Sequence, residues 1–268
     1  MVLEHLAEMS PDIHVLDTPL DLAKRAADII ARANDTCRDQ GRPFVLGLAA
    51  GTSPEGVYHV LAERCERGEL RFDNCHTFCL DEYYPMPPLS PPSFYQELSA
   101  VQNRLGIPEE HRHFLKGNTP RGRVADHCSS YEARILDMGG IDIQIVGMGR
   151  NGHVAFNEPG AAPSSRTRRV RLDGRTRKDI GASFEDEEEV PSEALTMGIA
   201  TILEARTLLL VVHGRHKQPI LKRFIEEVPN TKTPVTFLKR HEHLLVLVDR
   251  AAMPNPPSLS TRHRGAHS

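Results

Sequence analysis

Nothing in this sequence approaches the roughly 18 consecutive apolar residues that a membrane-spanning helix requires, and its opening residues, Met1-Val2-Leu3-Glu4-His5, lack the basic-then-apolar order of a secretory signal. A cytoplasmic protein is the expectation. Positive charge is not in excess either: 33 Lys and Arg stand against 36 Asp and Glu, a formal charge of -3, so neither nucleic acid nor a membrane surface is an expected partner. The five cysteines (Cys37, Cys65, Cys75, Cys79 and Cys128) are odd in number and show no Cys-x-x-Cys spacing, which argues against both a disulfide framework and a zinc site. No metal is expected, and Cys75 and Cys79 read as buried thiols flanking an apolar run. No internal repeat is apparent. What remains, 39% hydrophobic and 26% charged residues over a length of 268, is the composition of a globular chain able to bury a substantial core.

Periodicity then places the elements. Thr18-Pro19 ahead of Leu20, Leu22, Ala23, Ala26, Ile29, Ile30 and Ala33 is an N-cap, a proline at the first helical position and an apolar stripe, which predicts a helix over about Pro19 to Asp39 closed by Gly41. Strand-length runs rich in apolar and β-branched residues occur at 44–49, 76–80, 141–146, 207–212 and 244–248, as expected of strands covered on both faces. Helices are predicted after a Ser53 cap and Pro54, after a Ser93 cap through Phe94, Leu98 and Leu105, over about Val124 to Met138, within Pro191 to Ala205, and around Ile220, Leu221, Phe224 and Ile225. Ser165-Arg166-Thr167-Arg168 reads as a basic loop and residues 185–189 as a solvated acidic segment. At least five buried strands alternating with helices imply an α/β fold, a mostly parallel sheet with helices on both faces. One domain over residues 1–252 is expected, with residues 253–268 as a disordered tail.

Chemistry concentrates where strands end. The run ending at Val146 enters Gly147-Met148-Gly149 and then delivers Asn151, His153 and Glu158. Such a sequence suits the carboxyl edge of a parallel sheet, where ligands bind, although a plain turn beside a surface histidine uses the same residues. The run at 44–49 leads into Ala50-Gly51-Thr52-Ser53-Pro54, a small-residue turn opening a helix. Unpaired backbone N–H groups and the helix dipole make that turn a natural phosphate site, while ordinary βα turns are built alike. The run at 76–80 ends in Asp81-Glu82, two adjacent carboxylates that are costly to bury, so that they either face solvent or perform a task.

In this order, Leu46-Gly47-Leu48-Ala49-Ala50-Gly51-Thr52-Ser53-Pro54, Leu80-Asp81-Glu82-Tyr83 with Ser93-Phe94-Tyr95, Gly147 to Gly160 with its Phe156-Asn157-Glu158-Pro159, Ser165-Arg166-Thr167-Arg168, Val190-Pro191 through Ala194 to Gly198, and then Gly214 and Lys217 resemble the glucosamine-6-phosphate deaminase/isomerase family. That family shares a modified Rossmann-like fold with the 6-phosphogluconolactonases. The match covers roughly Phe44 to Ala252, and the Phe156-Asn157-Glu158-Pro159 block points to the deaminase branch.

The resemblance implies conversion of glucosamine 6-phosphate and water into fructose 6-phosphate and ammonia, with no metal or organic cofactor. It implies His153 as the ring-opening acid/base, partnered by Glu158 and Asn151, with Asp81 as the acid/base of the C2 to C1 proton shift and Glu82 in a structural hydrogen bond. For substrate and its phosphate it implies Ala50, Gly51, Thr52, Ser53, Gly147, Gly149 and Lys217. The implied partner is a small amino-sugar phosphate, with a homo-oligomer as the common assembly of the family. Three positions depart from the pattern: Asn151 stands where many members have Asp, Ala50 where threonine is common, and Ala182 where the best-known members place a phosphate-binding Arg. Asn151 is expected to accept the N–H of His153 and fix its tautomer while offering no charge to the protonated ring; for Ala182, either Arg177 or Lys178 compensates or the substrate's anionic end differs. A lactonase, another sugar-phosphate isomerase, or a non-catalytic sugar-phosphate-binding regulator are the alternatives.

Overall fold

The computed structural model describes residues 12–186 and 189–254; residues 255–268 of the expected tail, and residues 187 and 188 of the acidic segment, lie outside them. Seven strands form one sheet with every neighbouring pair parallel: β1 (Asp12–Leu16), β10 (Leu244–Asp249), β9 (Thr207–Val212), β6 (Ile143–Val146), β2 (Phe44–Leu48), β3 (Cys75–Cys79) and β5 (Arg112–His113), in that spatial order. The continuous apolar runs have the expected cause. Side chains alternate across a strand, and Val45, Phe78, Val146, Leu208, Leu210, Val246 and Val248 pack into one core while Leu46, Leu48, Ile143, Ile145, Leu209, Val211 and Leu247 pack into a second.

Helices surround the sheet: α1 (Pro19–Asp39), α2 (Thr52–Glu66), α3 (Phe94–Arg104), α4 (Val124–Asp137), α5 (Gly174–Ile180), α6 (Ile199–Leu203) and α7 (Gln218–Glu226). Their ends follow local chemistry. The Thr18 hydroxyl accepts from the Asp21 amide at 3.1 Å, Pro19 opens α1, and Gly41 beyond its end adopts φ +65°. One expected cap is corrected. α2 begins at Thr52 behind Gly51, whose φ of +88° admits no ordinary side chain, so Ser53 lies inside the helix and is not its N-cap.

A second sheet was not expected. β4 (Asp81–Tyr84), β8 (Glu193–Thr196) and β7 (Arg168–Arg171) form a three-stranded antiparallel sheet in the order β4-β8-β7. Residues 193–196 are therefore strand where a helix was predicted; Leu195 and Met197 are spaced by two, and only Ile199 and Ile202 belong to α6. The basic loop likewise turns into strand at Arg168. Leu80 joins the two sheets, its N–H donating to Leu48 O of the large sheet at 2.8 Å and its carbonyl accepting from Met197 N of the small one at 2.9 Å. Asp81 thus starts a strand that leaves the large sheet beside its carboxyl edge.

Candidate active site

At that edge lies a cavity of about 640 Å3. β2 contributes the turn from Ala49 to Pro54, the β3–β4 junction Leu80 and Asp81, and the turn after β6 Gly147 to Arg150, His153, Ala155 and Phe156. α5 lays Thr176, Lys178, Asp179 and Ile180 along it, and the segment ahead of α7 adds His216 and Lys217. Of the residues singled out from sequence, Ala50, Gly51, Thr52, Ser53, Asp81, Gly147, Gly149, His153 and Lys217 line this one space. Asn151 and Glu158 stand behind His153.

The imidazole of His153 lies against the backbone of Gly149: a Cβ built there would come within 2.2 Å of its Nε2 and 2.1 Å of its Cε1. Its Nδ1 faces the Glu158 carboxylate at 3.5 Å and the Thr176 hydroxyl at 3.3 Å. The role expected of Asn151 needs correction. Its Oδ1 accepts the backbone N–H of His153 at 3.1 Å, and its amide donates to Glu158 Oε2 at 2.8 Å; it makes no bond to the ring because its side chain is spent on the turn and on Glu158. Burial alone would raise the Glu158 carboxyl, but hydrogen bonding and charge from His153, with Thr176 and Asn151, hold it below the usual carboxylate range.

Asp81 and Glu82 are both buried, at 8% and 2% exposure, yet differ in kind. Glu82 takes the structural hydrogen bonds expected of it: its carboxylate accepts from Ser93 Oγ, the Tyr95 amide and the Tyr83 amide, each at 2.8 Å, and from the Phe94 amide at 3.1 Å. It thereby caps α3 together with Ser93. No hydrogen bond reaches the Asp81 carboxylate among the described residues. Burial first, then the charges of Glu82 and Glu97, push its carboxyl well above the usual range.

The other end of the cavity is cationic. Lys217 is half-buried, its ammonium lowered by burial and by Arg150, and it donates to Met148 O at 2.7 Å. Lys178 lines the cavity, whereas Arg177 turns away and donates to Val190 O at 3.1 Å. Ala182 is exposed and outside the lining. Arg166 and Arg168 also lie outside it: Arg166 pairs with Glu132 and Glu204, and Arg168 donates to Asn157 Oδ1 at 2.9 Å. Among the described residues no group of three or more His, Cys, Asp and Glu is placed to hold a metal ion.

Residues 17–246 match the family model described as glucosamine-6-phosphate isomerases/6-phosphogluconolactonase. The chain belongs to that family. Among its relatives is a glucosamine-6-phosphate deaminase of Alkaliphilus oremlandii (strain OhILAs), 35% identical over 241 residues that cover 90% of this chain and 98% of the relative. Another, from Rhodopirellula baltica (strain DSM 10527 / NCIMB 13988 / SH1), is 40% identical over 209 residues, covering 78% and 82%. A solved structure described as a monomeric glucosamine-6-phosphate deaminase superposes with a TM-score of 0.84 at 33% identity, over 90% of this chain and 98% of that one. A 6-phosphogluconolactonase from Thermotoga maritima, at 22% identity and a TM-score of 0.70 over 89% and 99%, shares the fold.

For this family member, the sequence left five polar or charged cavity residues unassigned: Arg150, Thr176, Asp179, Ser183 and His216. It also missed Glu97, which does not line the cavity but accepts the Gly51 amide of the glycine turn at 2.8 Å. Arg150 sits inside the glycine segment that was singled out, so its position was the available signal. Thr176 and Asp179 reach the site only because α5 folds back over it.

Proposed function

We propose that this protein is a glucosamine-6-phosphate deaminase, converting glucosamine 6-phosphate and water into fructose 6-phosphate and ammonia. The observation that carries the reading is the convergence on one cavity of a buried carboxylate, Asp81, free of hydrogen bonds among the described residues, an imidazole backed by a carboxylate, His153, and a cationic end containing Lys217. In this reading His153 Nε2, the ring nitrogen turned away from Glu158 and Thr176, moves a proton between the anomeric hydroxyl and the ring oxygen and so opens the sugar. Glu158 stabilises the imidazolium while it exists, and Asn151 holds Glu158 in place.

Asp81 then takes the proton from C2 of the open aldehyde while the carbonyl oxygen is protonated, giving an enolamine. It returns a proton to C1, which leaves an imine at C2. Water adds to that carbon and ammonia departs. A carboxyl whose proton affinity is raised by burial suits both halves of this shuttle near neutral pH. The turn at Gly51 to Ser53 and Lys217 receive the phosphate. A cytoplasmic setting, in which thiols stay reduced, accords with the five free cysteines.

Purified protein with glucosamine 6-phosphate, assayed for ammonia beside a calorimetric titration of the same sugar, tests the proposal. Stoichiometric ammonia and fructose 6-phosphate are expected. Binding without turnover would replace the reading with a sugar-phosphate-binding regulator, and hydrolysis of 6-phosphogluconolactone in place of ammonia release would replace it with a lactonase.

A further inference from the structure

The cationic end of the cavity contains a pairing with no part in the steps above. Arg150 leaves the glycine turn directly after Gly149 and lines the cavity with Lys178 and Lys217. Its guanidinium holds the Asp179 carboxylate at two points, Nε donating to Oδ2 at 3.0 Å and a second nitrogen donating to Oδ1. Two parallel N–H donors on two oxygens is also how a guanidinium grips the edge of a phosphate. Asp179 follows Lys178 on α5, and among the described residues it is the one carboxylate lining this end of the cavity, Asp81 standing at the other.

We propose that Arg150 is a specificity-determining residue for the phosphate of the substrate and that Asp179 is the group it releases when that phosphate binds. This rests on the deaminase reading for the sugar, though not for the anion. The pair suits an exchange because it is open to the cavity and to solvent: the Arg150 side chain is 62% exposed and that of Asp179 30% exposed, so an entering anion can compete for the two guanidinium donors. A phosphate dianion offers the guanidinium more charge than the carboxylate it displaces. It also meets Lys217, already close enough to Arg150 for the two charges to interact. Ala182, exposed and outside the cavity, supplies nothing there, so the phosphate charge that the turn after α5 does not bring through residue 182 comes from the glycine turn instead.

The consequences of the two side chains are opposite in sign, which separates this role from that of a structural ion pair. In steady-state ammonia release by the full chain, Arg150→Met should raise KM for glucosamine 6-phosphate by about 10- to 100-fold, the range of a charge-assisted hydrogen bond to an anion. The preference for glucosamine 6-phosphate over unphosphorylated glucosamine should fall by the same factor. Asp179→Asn should lower KM several-fold, and the double variant should behave as Arg150→Met alone. The proposal is overturned if KM is unmoved in Arg150→Met, or if Asp179→Asn raises KM as Arg150→Met does. Calorimetry with inorganic phosphate keeps the question separate from the activity. If the wild type released no ammonia, the deaminase reading would fail, while loss of phosphate affinity in Arg150→Met would still support the clamp and equal affinity would refute it.

Discussion

Gly149→Ala tests the geometry of the site with one methyl group. The φ of Gly149 is outside the positive region reserved for glycine, so alanine is admitted by the backbone and the whole effect comes from contact. That contact is severe. The new Cβ would lie 2.1 to 2.4 Å from Cε1, Nε2 and Cδ2 of His153, where about 3.5 to 4.0 Å between heavy atoms is the relaxed separation. The ring must therefore withdraw by more than 1 Å. It has little room to do so while keeping Nδ1 at 3.3 Å from Thr176 and 3.5 Å from Glu158. An acid/base group displaced this far forfeits most of its contribution, about 10²- to 10⁴-fold, whereas the overpacking costs about 1–3 kcal/mol of stability. Ammonia release should fall by at least about 100-fold in a protein that still melts cooperatively. Thermal denaturation and a circular dichroism spectrum of the same sample establish that it has folded. A folded Gly149→Ala protein with wild-type kcat would refute the placement of His153 in the reaction.

Asp81→Asn keeps the shape of the side chain and removes the proton acceptor; turnover should drop by about 10²- to 10⁴-fold while calorimetry shows glucosamine 6-phosphate still bound, and normal turnover would sink the assignment. Asn151→Asp removes the amide donation to Glu158 Oε2 at 2.8 Å and sets a like charge beside it. The Glu158 carboxyl, now held low, should bind its proton more readily, so the acid limb of the kcat/KM profile should move to higher pH; an unshifted limb would mean that Glu158 does not govern it. His113 is held neutral in the fold, its pKa lowered from 6.5 to about 4 by burial and by the charges of His76, Arg134 and His111. Its contribution to stability is complete above pH 6.5 and is lost as pH falls toward 4, because the unfolded chain binds the proton first. Since the ring is only half-buried, solvent screening leaves about 1–2 kcal/mol, and urea denaturation between pH 7 and 4 should show a slope that flattens in His113→Phe.

The parts of the fold legible in the sequence are those where one physical signal dominates. Strands buried on both faces are predominantly apolar, and helix starts such as Thr18-Pro19 and Ser93 carry their caps in the local sequence. The small sheet has no such signal. Three of the four residues of β7 are arginine, and its strand character comes from pairing with β8 rather than from any apolar pattern. β5 spans two residues and β1 is an edge strand with Val15 44% exposed, so neither needs the alternation that reveals a half-buried strand. The site divides in the same way. His153, Glu158 and Asn151 fall within one short segment, but Thr176 meets His153 from 23 residues away, Asp179 meets Arg150 from 29, and Glu97 meets Gly51 from 46. Contacts at that separation depend on how α5 and α3 fold back, which periodicity does not encode.

In the proposed mechanism the pair Asp81-Glu82 serves both stability and chemistry. Alternation along β4 points adjacent side chains to opposite faces. Glu82 is directed at the start of α3, where three donors, joined by the Tyr83 amide, satisfy it and a helix dipole favours its charge. Asp81 is directed at the cavity, where no donor among the described residues meets it and burial raises its proton affinity. A one-residue slip of β4 against β8 would exchange the two, giving the cavity a carboxylate and the helix an aspartate too short to reach the same donors. In the proposed mechanism the register Asp81 opposite Thr196 is therefore a functional constraint as well as a packing one. It is held from both sides at Leu80, whose two backbone hydrogen bonds fix where the large sheet ends and the small one begins. The placement of the Asp81 carboxylate in the cavity thus depends on two backbone hydrogen bonds of its apolar neighbour Leu80.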